Sequence, residues 1–129
     1  MEKSLNIVTG IVARILFALP LIIFGFGHFT NANSMANMML ANVPGNVVLV
    51  YLTGIALLAA ALAILIKKKA ALATLLLGVM LLLFALIIHL PGIGNSDEMM
   101  AMTSMSNFFK DIGLSGAALF MSGVFRKEE

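Results

Sequence analysis

The chain contains no cysteine. It therefore has no disulfide, no thiolate metal site and no dithiol pair, and thiol oxidoreductase chemistry is excluded. Charge is also scarce, because only 11% of the 129 residues are Asp, Glu, Lys or Arg. Soluble domains carry charge at about a quarter of their positions, so a water-soluble fold is disfavoured. The sequence also lacks a phosphate-binding glycine loop, a catalytic triad and a zinc motif, and nothing indicates an enzyme that acts alone.

Long apolar runs fill most of the chain instead, and 61% of the residues are hydrophobic. A helix needs about 20 apolar residues to cross a hydrocarbon core of about 30 Å. Four runs meet that length, near residues 5–29, 47–66, 70–90 and 107–125. The sequence therefore predicts an all-α protein, with residues 1–129 forming one bundle of four transmembrane helices in the lipid bilayer.

Most lysines and arginines lie in connections that fall on the same side of the membrane when successive spans run in opposite directions. They lie before span one, between spans two and three, and after span four: Lys3, Lys67–Lys69, Arg126 and Lys127. The other two connections, 30–46 and 91–106, contain neither residue. Cytoplasmic loops carry the excess of Lys and Arg, so both termini are predicted to be cytoplasmic. The basic residues form no continuous face, and the net charge of +2 does not indicate a nucleic-acid partner.

Arg14 is the residue whose predicted place in the membrane costs the most free energy. Ionisable side chains inside a membrane usually face the protein interior and serve a function. It follows about nine residues of span one, which predicts a position near the middle of the membrane. At helical spacing, its face continues through Ala18, Leu21, Gly25 and His28. The alternative is that Arg14 extends to the headgroups or bonds to backbone carbonyls for packing alone.

Two further stripes carry polar residues at helical spacing. In span three the stripe consists of Thr74, Gly78, Leu82, Ala85 and His89. In span four it consists of Asp111, Ser115, Ala118 and Ser122. Both stripes are predicted to face the interior and to end near the outer surface of the membrane.

A polar cluster near the outer surface follows from these stripes, with five members: His28, Tyr51, His89, Lys110 and Asp111. It has enough donors and acceptors to orient a small head group such as a quinone carbonyl. The alternatives are interfacial residues that bond to lipid and water, and two histidines that ligate a haem.

The outer loops contain seven of the ten methionines: Met35, Met38, Met39, Met99, Met100, Met102 and Met105. Thioethers are soft ligands that suit copper(I), but methionine is also a flexible apolar filler of short helices. No resident metal is predicted. Small residues at helical spacing, such as Gly113 with Ala117 and Gly116 with Gly123, are expected to pack helices closely and leave room for a homodimer.

Several short motifs resemble the DoxX family of small four-helix membrane proteins, over nearly the whole chain. The first half carries Arg14-Ile-Leu-Phe, Phe24-Gly-Phe-Gly-His28-Phe29, Val43-Pro44 and Tyr51-Leu-Thr-Gly54. The second half carries His89-Leu-Pro-Gly92 and Asn107-Phe-Phe-Lys110-Asp111-Ile-Gly-Leu-Ser-Gly116. The resemblance implies an inner-membrane protein that is associated with quinone-linked oxidation of sulfur compounds or with redox and detoxification partners.

The resemblance also assigns family positions to Arg14, Gly54 and the Lys110–Asp111 pair. One departure concerns Leu57, since many members have a glutamate three residues after the span-two glycine. An arginine with an intramembrane carboxylate is suited to a proton relay, and that partner is missing here.

Three functions remain in competition. The first is a quinone-interacting or accessory subunit of a membrane redox system, with quinone as ligand, redox proteins as partners and the polar cluster plus Arg14 as the pocket. The second is a small-molecule transporter, although small multidrug transporters need a carboxylate in span one and this chain has none. The third is a non-catalytic membrane scaffold or stress protein, which would tolerate Arg14→Ala.

Overall fold

The computed structural model describes every residue from Met1 to Glu129, and all of its regular structure is helical. Five helices follow one another along the chain: α1 (Glu2–Thr30), α2 (Ala32–Met39), α3 (Asn46–Ile66), α4 (Ala70–Gly92) and α5 (Glu98–Glu128). All except α2 are long and apolar enough to cross a membrane. The predicted all-α fold with four apolar helices is thus confirmed.

The outward side chains of these helices are large and apolar. Leu16, Ile55, Leu76 and Phe120 are all more than half exposed. Soluble proteins rarely leave contiguous apolar surface of this extent in water, because hydration of such surface is unfavourable. Lipid tails are the solvent that fits this surface, and the chain is a multi-pass membrane protein.

The chain divides into two compact units, Met1–Ala70 and Ala71–Glu129. In the first unit, α1 packs against α3, and Ala18, Leu21 and Gly25 are buried as the sequence predicts. The two helices approach closely at Gly54, where an added Cβ would lie 2.9 Å from His28 Cβ and 3.1 Å from the Gly25 carbonyl oxygen. The short helix α2 covers the beginning of α3 through Ala32 and Ala36.

In the second unit, α4 and α5 present their polar stripes to the interior. Thr74, Gly78, Ala85 and His89 are buried, as predicted. Leu82 is the exception, because it is exposed and Leu81 takes its place. The two leucines point about 100° apart around the helix, and only Leu81 falls on the buried side.

On α5, Asp111, Ser115 and Ala118 are buried and Ser122 is partly buried, as predicted. The predicted packing of small residues is wrong for this helix. A Cβ added at Gly113, Gly116 or Gly123 would meet nothing within 4 Å. The glycines that bring these helices together lie on α4. At Gly78 an added Cβ would lie 2.8 Å from the Leu119 side chain and 3.2 Å from the Ser115 carbonyl oxygen, and at Gly92 it would clash with the Ser104 side chain.

Helix α5 begins nine residues before the predicted fourth span. Asp97 is its N-cap, with extended backbone and a side-chain oxygen 3.0 Å from the Met100 amide, which donates to it. Such a cap satisfies an amide that the first helical turn leaves without a partner. The segment after it has no strong hydropathy signal, and only the cap marks the true start of the helix.

Helix α4 changes geometry before its end. Residues Phe84–His89 form a π-helical segment, and the helix then continues through Pro91 to Gly92. A proline inside a helix lacks one amide donor and crowds the preceding turn. The wider π turn just before Pro91 gives the ring room, so the helix ends at Gly92, two residues later than the predicted span.

Candidate functional site

Two serine hydroxyls fasten α5 to α4 in the second unit. Ser115 Oγ donates to the Gly78 carbonyl over 2.7 Å, and Ser122 Oγ donates to the Ala71 carbonyl over 2.8 Å. Hydrogen bonds between helices replace hydrophobic association inside a membrane, where lipid tails are as apolar as leucine. These bonds and the contact at Gly78 fix the register that sets the position of Asp111.

Asp111 is the centre of the candidate site. It is only 3% exposed, and its two carboxylate oxygens meet two different partners. His89 Nε2 lies 3.2 Å from Oδ2, and Lys110 Nζ lies 3.5 Å from Oδ1. A buried carboxylate is stable only when it is paired and hydrogen-bonded in this way. The structure therefore brings together three of the five residues of the predicted cluster.

His89 is 7% exposed and lies in the π-helical segment of α4. Its Nε2 faces Asp111, whereas its Nδ1 makes no hydrogen bond within the chain. A carboxylate at one ring nitrogen holds the imidazole orientation and favours the proton on that nitrogen. Nδ1 then accepts a hydrogen bond when the ring is neutral and donates one when it is protonated. The sequence carries no direct signal for the π segment beyond the proline that follows it.

Lys110 forms the open side of the site. Its side chain is 37% exposed, and its ammonium donates to Asn107 Oδ1 over 3.3 Å as well as facing Asp111. Asn107 was placed by the sequence at the start of span four but not in the polar cluster. It is one turn before Lys110 on the same helix face, which is the spacing that joins polar pairs on helices.

Arg14 has a different environment, in the first unit. Its Nη1 donates to the carbonyls of Ile64 and Leu65 over 3.4 and 3.0 Å, and its Nε donates to the Gly10 carbonyl over 3.1 Å. These carbonyls belong to the last turn of α3, so Arg14 lies level with the end of that helix. The alternative of bonding to backbone carbonyls describes what the structure shows.

The end of α3 explains why an arginine fits there. Lys67 adopts a left-handed conformation with φ 57°, and the Lys68 amide closes back on the Ala63 carbonyl over 3.3 Å. This closure satisfies one of the carbonyls that a helix end leaves without a donor, and Arg14 supplies donors to the next two. A cation also interacts favourably with the negative end of the helix dipole.

His28 and Tyr51 belong to the first unit as well. His28 Nδ1 lies 2.7 Å from the Phe24 carbonyl of its own helix, which leaves Nε2 outward. Tyr51 is 39% exposed, and its ring lies 5.7 Å from that of Phe29, centroid to centroid. Amphipathic aromatic rings of this kind are typical of membrane interfaces. His28 and Tyr51 make no hydrogen bond or ring contact with each other.

No three His, Cys, Asp or Glu side chains lie close enough to hold a metal ion together. Every side-chain nitrogen and oxygen atom that is completely shielded from solvent has a hydrogen-bond partner. Comparison of the chain with protein families, with curated proteins and with solved structures finds no match in any of the three.

Proposed function

We propose that this protein binds a quinone at His89, Lys110 and Asp111 and serves as a quinone-interacting or accessory subunit of a membrane redox system. The observation that carries the proposal is the buried His89–Asp111 pair, with Nε2 and Oδ2 3.2 Å apart. Ionisable side chains within membrane helices are costly, and a protein retains them mainly for ligand binding or proton transfer.

The donor set fits the two oxygens of a quinone ring. Protonated His89 offers an Nδ1–H, and the half-exposed Lys110 offers an ammonium N–H, to a carbonyl oxygen that accepts. Neutral His89 offers an Nδ1 lone pair to the O–H of the reduced ligand. Asp111 stabilises the imidazolium that forms when this proton is taken up, as a carboxylate does beside a histidine base.

The reaction that this geometry serves is proton exchange with the ligand. Oxidation of a hydroquinone to the quinone releases two protons and two electrons. His89 can accept the proton of one ligand hydroxyl, and the proton of the other hydroxyl passes to water at the outer surface. The electrons pass to a redox centre of a partner protein. The chain itself supplies binding, orientation and a proton acceptor. The resemblance to the DoxX family supports the same class of function.

We also propose that the protein lies in the inner membrane with both termini in the cytoplasm. The support is the distribution of cations, since Lys67–Lys69 connect α3 to α4 and Arg126 and Lys127 end α5. In this topology the end of α4, where His89 lies, and the beginning of α5 are near the outer surface. A quinone in the bilayer reaches them from the side.

One observation favours a second function, a non-catalytic membrane scaffold. Arg14 and Asp111 both find partners within the chain, so each can serve packing alone. A scaffold requires no ligand at Nδ1 of His89. The two functions therefore differ in whether the protein retains quinone.

The test is the quinone content of the purified protein in detergent, measured by mass spectrometry against bulk phospholipid. We expect near-stoichiometric quinone in the wild type and its loss in His89→Gln and Asp111→Asn, which keep side-chain size and hydrogen bonding while removing the titrating group. His28→Ala is the matched histidine control and should retain quinone. No enrichment in the wild type, or equal retention in all variants, would favour the scaffold.

A further inference from the structure

The first turns of α5 carry a dense group of exposed methionines. Met99 is 77% exposed and Met102 is 61% exposed, and Met105 is exposed as well. Methionine that fills gaps in packing is at least partly buried, as Met35 shows by lying against the small core around Ala36. Met99, Met102 and Met105 are exposed and contribute little to packing within the chain.

These residues also lie beyond the part of α5 that the bilayer needs. The helix has 31 residues, or about 46 Å at 1.5 Å per residue, against a hydrocarbon core of about 30 Å. The apolar part of α5 follows Ser106, and the segment 98–106 precedes it. The segment 98–106 extends past the hydrocarbon core of the bilayer, so contact with lipid tails does not explain its exposed methionines.

The first turns of α5 and its cap residue line an open, shallow groove of about 750 Å³. Two thioethers and two carboxylates line it, from Met99, Met102, Asp97 and Glu98, and no lysine or arginine does. Met102 is three residues after Met99 and four after Glu98, so both are its neighbours on the helix surface. Helical side chains lean towards the N-terminus, which brings the Met102 sulfur over the turn that holds the other two.

We propose that this group is a binding site for a soft monovalent cation, copper(I), with the sulfur atoms of Met99 and Met102 as ligands and Glu98 as the neighbouring anion. Thioethers select copper(I) over harder divalent ions. The Glu98 carboxylate makes no ion pair or hydrogen bond within the chain, whereas Asp97 is engaged with the Met100 amide.

The local charge favours a cation. The beginning of a helix carries a positive partial charge of about half a unit, which repels cations. Two carboxylates beside it outweigh that charge and leave the groove negative. Copper(I) is coordinated by a small number of soft ligands. Met105 is one turn after Met102 and can supply a third sulfur ligand.

The test is withdrawal of copper(I) from a coloured chelator complex, under anaerobic conditions, by the full chain in detergent. We expect the wild type to take up one equivalent and Met99→Leu/Met102→Leu to take up none. Glu98→Gln should bind about tenfold more weakly, the effect of removing a group that supports a metal ligand. Met35→Leu is the matched control, because it removes a packed methionine and leaves the groove intact.

Leucine replaces exposed methionine with little change in volume, so the double variant should melt as the wild type does. Silver(I), which has no redox chemistry here, gives an independent measurement through the methyl resonances of the methionines, with shifts expected at Met99 and Met102. Absence of uptake by the wild type, equal uptake by the double variant, or equally tight binding of zinc(II) would overturn the proposal.

Discussion

Arg14 and Asp111 are charged side chains that the sequence places inside apolar helices, and the structure gives them different kinds of partner. Asp111 meets the side chains of His89 and Lys110, as the stripes of α4 and α5 predict. Arg14 meets main-chain carbonyls at the end of α3. Helical periodicity gives the face on which a residue lies, but not how far the neighbouring helix extends, so it does not predict the contact of Arg14 with the last turn of α3.

Arg14→Gln should lower the stability of the protein without removing its ligand. Hydrogen bonds from a charged donor contribute about 1.5–3 kcal/mol. Glutamine carries no charge and is too short to make the two hydrogen bonds that Arg14 donates to the Ile64 and Leu65 carbonyls. We expect a lower melting temperature in detergent and normal quinone content.

Lys68→Gln is the matched control for this variant, because it removes an exposed cation that follows the same helix end. Its melting temperature should equal that of the wild type. An equal fall in both variants would mean that net charge near this end, and not the carbonyl contacts of Arg14, stabilises the protein.

The sequence predicts the ends of a helix well where an apolar run defines them, and less well where a polar cap defines them. Spans two and three agree with α3 and α4 to within two residues, because a lysine loop and apolar runs mark their limits. The first turns of α5 are polar, and the Asp97 cap is their only sequence signal. The sequence placed Gly78 on the interior stripe of span three but expected close packing at Gly113 and Gly116, because a glycine's own surroundings in the sequence do not show what lies opposite it.

Gly54→Ala should disrupt the packing of α1 against α3. The new Cβ would lie 2.9 Å from His28 Cβ and 3.1 Å from the Gly25 carbonyl oxygen, and main-chain atoms can move away only if the helices separate. Overpacking of this kind costs about 1–3 kcal/mol. Thermal unfolding in detergent measures the effect.

Gly113→Ala provides the opposite case, because its Cβ would meet nothing within 4 Å. Alanine favours a helix interior over glycine by about 1 kcal/mol, so this variant should melt at the same temperature or higher. A destabilised Gly113→Ala would show that the exposed face of α5 contacts a second molecule, as a homodimer requires.

The protein as a whole is a multi-pass membrane protein whose orientation rests on its cations. Composition alone was enough to predict four membrane helices, because the physical demand for about 20 apolar residues per span is strict. The orientation of the protein in the membrane depends on which loops carry the excess of Lys and Arg, and the packing of the helices does not show it. It therefore needs its own measurement.

The absence of cysteine makes that measurement simple, since any single introduced cysteine is the only thiol. In intact cells, we expect an impermeant maleimide to label Asn95→Cys, between α4 and α5, and not Lys68→Cys, between α3 and α4. After the membrane is permeabilised, both should react. The reverse pattern in intact cells would place the termini outside.

The binding of quinone at the His89–Asp111 pair is the central claim, and mapping the place where a quinone contacts the chain tests it most directly. The wild-type protein in its native membrane would be irradiated with a short-chain azidoquinone, and the labelled peptides identified by mass spectrometry. We predict labelling near His89 and Lys110 that excess unlabelled quinone prevents. Labelling confined to the peptides of Arg14 and Tyr51, or labelling that competitor leaves unchanged, would contradict the account.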